Sequence, residues 1–247
     1  MRIINLAFII FTAVAFNSCQ KEINNTDPVV PTGNRIKTYT EDVTSGGAHN
    51  VVTFNLAYDA NDRIISLTSA ASPGDRFVYQ YSNGGLTMDI YNSNQLNIHE
   101  VFFLNSNSLV DSTFQYNDTN DSLTEKYLYN SSKQLTTLKS YNYSQVTGSV
   151  LDNVENYTYD SNGNAIKVTD NYSVTTYDYY TNLPGNFAGI VPYFPAGKNL
   201  VKTTTVTDAG GTTTLNHTYT FDTANRITTE KIVAGSGEIV IKTYTYY

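Results

Sequence analysis

The sequence predicts an all-β protein, an antiparallel meander of repeated β-hairpins curled into a barrel-like roll or a two-layer sandwich. Three observations carry that expectation. Aromatic or large apolar residues recur in pairs two apart, as in Tyr157/Tyr159 and Tyr219/Phe221, with Thr or another polar residue between them. Such alternation marks a strand with one buried and one wet face. Short polar loops follow these pairs, and no segment carries a helical period long enough to build a bundle.

The first element in chain order has the form of a lipoprotein signal over residues 1–18, with Arg2 ahead of an apolar run from Ile3 to Phe16 and then Asn17-Ser18-Cys19. That run is too short for a permanent membrane helix. Cys19 is the single cysteine, so no disulfide forms within the chain, and it is the expected site of lipidation. Residues 20–34 are polar, carry two prolines and have no periodicity, which predicts a flexible tether. A single domain is expected over residues 35–247.

Within that domain one unit is clearest at Tyr157-Thr-Tyr-Asp-Ser-Asn-Gly-Asn-Ala-Ile-Lys-Val168. With its second aromatic as position zero, the unit aligns at Tyr58, Phe103, Tyr116, Tyr129, Tyr159 and Phe221. Position four is then Asp62, Asn107, Asn120, Lys133, Gly163 and Asn225. All but Lys133 tolerate positive φ, as the last residue of a three-residue loop of type I turn plus bulge must. Positions zero and six should pair, placing Tyr58 opposite Ile64, Phe103 opposite Leu109, Tyr129 opposite Leu135 and Phe221 opposite Ile227. At Tyr116 and Tyr159 position six is Ser122 and Ala165, which suggests a longer loop or an extra bulge. The pairs Leu56/Tyr58, Tyr79/Tyr81, Val101/Phe103, Phe114/Tyr116, Tyr127/Tyr129, Tyr141/Tyr143, Tyr157/Tyr159, Tyr219/Phe221 and Tyr244/Tyr246 should all share the buried face. Counting turn signals gives on the order of fourteen strands.

The Tyr-x-Tyr-Asp-x-x-Gly-Asn pattern at 157–164 and its relatives at 58–64 and 219–227 resemble the Tyr-Asp repeats of Rhs and wall-associated surface proteins. The chain from 35 to 247, with Phe194-Pro-Ala-Gly-Lys-Asn-Leu-Val201 and its Thr-rich hairpins, is similar to a family of Tyr-rich lipoproteins of unknown function from Bacteroidota. The resemblance implies an outer-membrane lipoprotein built of hairpin repeats and no particular chemistry.

Residues 181–198 interrupt the strand pattern with prolines, glycines and the apolar group Leu183, Phe187, Ile190, Val191, Tyr193 and Phe194, and are expected to cap the sheet. Tyrosines outside the alternation are the candidates for ligand contact: Tyr172, Tyr180 and Tyr193, joined by Phe187 and Phe194. Asp111-Ser-Thr, Asp121-Ser-Leu and Asp222-Thr-Ala resemble the O-glycosylation sequon of exported Bacteroidota proteins and nominate Ser112, Ser122 and Thr223.

Little points to catalysis. His49, His99 and His217 fall in three different hairpins, have no Cys or His at zinc-ligand spacing, and are expected to be exposed. Asp160-Ser-Asn-Gly-Asn164 has the oxygen donors of a calcium loop's start, but its glycine is misplaced and no Glu closes it, so the Asp is expected to cap the turn. There is no Gly-x-Ser-x-Gly elbow. The net charge of −7 without a basic run excludes a nucleic-acid binder. No metal or cofactor is expected. The last strand alternates Tyr246, Tyr244 and Lys242 with Tyr247, Thr245 and Thr243, and neither face suits lipid. The expectation is therefore a non-catalytic, lipid-anchored envelope protein that binds a glycan or another envelope protein. An envelope hydrolase, or a carrier of an apolar ligand inside the roll, is the alternative.

Overall fold

The computed structural model describes residues 35–247 apart from 83–84, 118–121, 145–147 and 186–197. The signal, Cys19 and tether lie outside the described residues, as do Phe187, Ile190, Val191, Tyr193, Phe194, Asn120 and most of the expected cap. Sixteen strands close into an antiparallel barrel in which each pairs with its sequence neighbours and the last with the first. They are β1 (Ile36–Ser45), β2 (Ala48–Tyr58), β3 (Ile64–Ser69), β4 (Arg76–Ser82), β5 (Gly85–Asn92), β6 (Gln95–Leu104), β7 (Val110–Asn117) and β8 (Ser122–Tyr129). The second half comprises β9 (Leu135–Ser144), β10 (Gly148–Tyr159), β11 (Ala165–Thr169), β12 (Ser173–Pro184), β13 (Asn199–Asp208), β14 (Gly211–Phe221), β15 (Ile227–Ala234) and β16 (Ile239–Tyr246). Since β12 runs to Pro184, the interruption is shorter than 181–198. Barrel closure removes the edge strands that a sandwich would leave open.

One hairpin geometry recurs at a single end of the barrel, between β2 and β3, β6 and β7, β8 and β9, β10 and β11, and β14 and β15. In the β10–β11 hairpin the Asp160 Oδ1 accepts from the N–H groups of Asn162 (2.9 Å) and Asn164 (2.8 Å), and Gly163 takes the positive φ of 86°. Asp59, Asn105, Asn130 and Asp222 cap the other loops in the same way. Asp62, Ser108, Lys133 and Asn225 occupy the left-handed position. Each outgoing strand then bulges one residue in, as between Thr158↔Lys167 and Tyr159↔Ala165. The expected pairs Tyr58↔Ile64, Tyr129↔Leu135 and Phe221↔Ile227 are present, and Tyr159 follows the same rule with Ala165 and no longer loop.

Four of the expected pairings need correction. The β6 unit is registered one residue later than expected: Leu104, not Phe103, is position zero and pairs with Val110, and Ser108 rather than Asn107 has positive φ. A one-residue slip sends every side chain of the strand to the other face. Phe102 is thus buried, while Phe103 is 50% exposed and Val101 faces outward with it. Phe114/Tyr116 and Tyr141/Tyr143 also lie on the outer wall, because the register pairs them with the residues that alternate with inward Leu123, Glu125 and Tyr127. Tyr116 pairs with Ser122, both on that wall.

Where the bulge displaces a strand start, a tyrosine on the other flanking strand donates to the freed carbonyl. The hydroxyls of Tyr58, Tyr81, Tyr129, Tyr159, Tyr179 and Tyr246 reach the carbonyls of Ile36, Ile64, Val110, Leu135, Ala165 and Ile227 at 2.6–2.9 Å. Each acceptor is the first residue of an odd-numbered strand. Arg63 and Arg226 add a second tie: each pairs with its loop aspartate at 2.7 Å and stacks over the next tyrosine, Tyr81 or Tyr246, at 4.3 Å.

The seam between β16 and β1 repeats this geometry without a loop. Tyr246 pairs with Ile36 across a bulge, as position zero pairs with position six, and the Tyr247 N–H donates to the Arg35 carbonyl (3.0 Å) as Asp160 does to Asn164. Arg35 then takes the place of Arg63 or Arg226, lying over Tyr58 and pairing with Asp62. The two ends of the described domain thus stand where a loop would be.

Apart from the apolar and aromatic residues of β6–β9 just named, much of the outer wall is polar. Thr pairs join strands across it, such as Thr38–Thr245 (2.6 Å), Thr40–Thr53 (2.9 Å) and Thr220–Thr228 (2.8 Å). Lys126, Lys139, Lys167 and Lys231 alternate with inward residues along their strands and so point out. In a bilayer each such lysine would cost roughly 2–4 kcal/mol at mid-depth. These outward lysines suit water rather than lipid.

Gly163→Val forces a β-branched residue to φ 86° and should lower stability by roughly 1–2 kcal/mol. Chemical denaturation of both forms measures it, and an unchanged midpoint would reject the loop geometry at this hairpin.

Candidate functional site

Because inward side chains alternate, the residues two and four positions before each latch tyrosine form two levels inside the barrel. Tyrosines dominate the first level, while the second combines Glu125, Glu155 and Lys242 with Phe54, Phe77 and Thr175. The phenols of Tyr39, Tyr127 and Tyr157 donate to the carboxylates of Glu41 (2.5 Å), Glu125 (2.7 Å) and Glu155 (2.6 Å), each two residues away on the same face. Burial first, then the carboxylate alongside, pushes the Tyr157 phenol far above its ordinary value.

The interior divides into three sectors. On β14–β16 the charges are matched: the Glu230 carboxylate receives His217 Nδ1 at 2.9 Å, the Tyr219 hydroxyl at 3.1 Å and Lys242 Nζ at 3.4 Å, while Thr204 closes on His217 Nε2 at 3.1 Å. Burial alone would raise Glu230, but Lys242 and then His217 outweigh it and hold the group down to about 2. A fully paired network of this kind fixes side chains rather than offering them to a ligand.

On β6–β10 three carboxylates share the interior, and no cationic side chain among the described residues of these strands points inward with them. Glu125 accepts from Tyr127, Thr113 (3.4 Å) and Ser140 (3.3 Å), all neutral hydroxyls. Glu100 and Glu155 flank it. Burial and then the Glu125 charge push Glu100 up to about 8. Burial raises Glu155 to about 7, with the Tyr157 hydrogen bond opposing and Glu125 adding. The lysines of these strands, Lys126 and Lys139, point to the outer wall. Tyr79 stands at the edge of this sector, 3% exposed, its hydroxyl without a partner.

The third sector, on β2–β5, is apolar. Leu56, Leu67 and Leu86 are buried, while Phe54, Phe77 and Met88 keep partial exposure against them. It adjoins the acidic sector where Tyr79 on β4 pairs with Met88 on β5, which pairs with Glu100 on β6.

The residues nominated from sequence are scattered. Tyr172, 71% exposed, stands in the turn before β12. Tyr180 is structural: its hydroxyl donates to the His217 carbonyl (2.9 Å) and its ring meets Tyr219 edge-on. Ser112 and Ser122 lie on the outer wall and Thr223 is exposed in a loop. His217 is buried at 2% exposure, against expectation, and every histidine has a cross-strand carboxylate: His49 with Asp42, His99 with Asp89, His217 with Glu230. The acidic sector went unanticipated, since Glu100, Glu125 and Glu155 meet only through alternate strands of the closed sheet. The shared Glu-x-Tyr spacing at 125–127 and 155–157 was its one sequence signal.

The fold and interior together define a closed sixteen-stranded barrel with outward lysines and threonines and a lumen that carries both ionisable and apolar sectors. No family model and no curated protein matches the chain. Among solved structures, a porin-like protein from Bacteroides uniformis superposes with a TM-score of 0.62 at 12% identity, over 87% of this chain and 98% of that one. A second porin-like protein, from Bacteroides vulgatus, gives 0.60 at 13% identity over 86% and 98%. These likenesses establish a shared fold.

The raised carboxyls carry a pH signature. A carboxyl whose folded value exceeds its unfolded one holds more protons when folded, so its contribution falls as pH rises from about 4.5 to about 8. The unfolding midpoint should decline across that window, and Glu100→Gln should flatten the decline and stabilise the barrel at pH 8 by roughly 1–3 kcal/mol. Thermal melts between pH 5 and 9 measure it; an unchanged slope in the variant would contradict the charge assignment.

Proposed function

We propose that the chain is a non-catalytic lipoprotein of the outer membrane, held by a lipid on Cys19 and a tether over residues 20–34, with the barrel as a binding or structural module in the aqueous envelope. The observation that carries this reading is the outer wall, whose threonines and outward lysines suit water and whose mid-height charges oppose insertion. A barrel of this surface needs a separate anchor to stay at a membrane, and Cys19 supplies one. The resemblance to Tyr-rich Bacteroidota lipoproteins supports the same reading, and a glycan or another envelope protein is the partner class.

One observation favours an envelope hydrolase instead. Glu155 is held near 7 beside Glu125, and neighbouring carboxyls with separated affinities are what glycoside hydrolysis uses. Against it, each of these two acids is engaged by the tyrosine two residues along its own strand, and the sector lies inside the barrel rather than in an open cleft that a polymer could cross. Turnover of small aryl glycosides that Glu155→Gln abolishes would establish the hydrolase. A carrier of purely apolar ligands fits poorly, since only the β2–β5 sector is apolar.

Replacing Cys19 with Ser should move the barrel from the membrane to the soluble fraction, because the lipid on Cys19 and not the wall holds it there. Fractionation and blotting measure this. A barrel that stays membrane-bound after the substitution would overturn the anchor.

A further inference from the structure

We propose that the acidic sector, together with the apolar sector beside it, binds an amphiphilic organic amine, whose ammonium group lies among Glu100, Glu125 and Tyr79 and whose carbon stem lies against Phe77 and Met88. This deepens the reading of the barrel as a non-catalytic binding module and rests on it.

Charge is unbalanced on this side of the lumen. The β14–β16 sector answers Glu230 with Lys242 and His217, whereas the donors to Glu125 are neutral hydroxyls. A buried carboxylate without a counter-charge is costly and is relieved either by a proton or by a cation. Both Glu100 and Glu155 hold protons more tightly than ordinary carboxyls, through burial and the Glu125 charge beside them.

Tyr79 is the second, independent observation. Its phenol is buried and carries no hydrogen bond, and burial first, then the Glu100 carboxylate, raises it. A buried hydroxyl normally has a partner, so a ligand donor at this place would satisfy it. An ammonium group has three donors to offer and is attracted to tyrosine faces.

The chemical class follows from the surroundings. Among the described residues no three His, Cys, Asp or Glu side chains are grouped closely enough to hold a metal ion. A larger, hydrogen-bonding cation spans such a gap. The apolar stem is implied by the register that sets Phe77 and Met88 next to Tyr79 and Glu100, with both apolar residues still partly exposed. Entry is from the end opposite the aspartate loops, where Asn142 and Val150 above the carboxylates are open to solvent.

Calorimetry on the full mature chain, titrated with n-hexylamine, 1-hexanol or calcium chloride, tests the proposal. The amine should bind saturably and release protons at pH 7.5, with the alcohol and calcium each at least about tenfold weaker. Tyr79→Phe removes only a hydroxyl without a partner, so that variant should fold normally and yet bind the amine about fivefold more weakly. Glu100→Gln should weaken it further, and Glu41→Gln on another wall should leave it unchanged. Absence of amine binding, equal binding of hexanol or calcium, or full affinity in Tyr79→Phe would each overturn the proposal. None of those results bears on Cys19, whose fractionation assay tests the anchored module separately.

Discussion

The barrel depends on a hydrogen bond from a tyrosine hydroxyl to a carbonyl that a β-bulge has taken out of the sheet ladder. Each aspartate or asparagine loop ties an even strand to the next odd one, and its bulge leaves the first carbonyl of the odd strand unsatisfied at the rim. A buried carbonyl without a donor costs on the order of 1–3 kcal/mol. The tyrosine near the end of the following even strand supplies the donor at six junctions. Loop and latch therefore alternate around the rim, and between them most strand pairs are held at that end. Phenylalanine could fill the same space but not satisfy the carbonyl, which accounts for tyrosine at these six positions.

The same device explains how the sheet closes. Closing sixteen strands requires the last to find the first in the right register, and a meander has no loop to enforce it. Here Tyr246, Ile36, Tyr247 and Arg35 reproduce the loop junction from two separate chain ends. The repeat thus supplies closure from its own geometry. With the walls set in register, the inward rows fall at common levels, and the interior becomes a row rich in tyrosine beside a row that is ionisable on some strands and apolar on β2–β5.

Much of this was legible in the sequence where the pattern is local. Asp160 and Gly163 fix a loop within five residues, and the loop fixes the face of Tyr157 and Tyr159. The pattern misled where both parities are apolar: Val101, Phe102, Phe103 and Leu104 offer no alternation, and asparagine at both 105 and 107 fits two registers. Only the partner strand decides between them. The acidic sector and the His217–Glu230–Lys242 network were out of reach for another reason, since their members meet through strand pairing and barrel closure. A buried histidine on a Thr-rich strand reads like an exposed one until its cross-strand carboxylate is known.

The measurement that most directly tests the latch is the additivity of tyrosine-to-phenylalanine substitutions at Tyr58, Tyr129, Tyr159 and Tyr246, followed by chemical denaturation. If each hydroxyl satisfies its own carbonyl, every single substitution lowers stability by roughly 1–2 kcal/mol and the quadruple variant by about their sum, since the sites share no partner. A quadruple variant as stable as the parent would contradict the account, because the tyrosines would then act as ring volume alone.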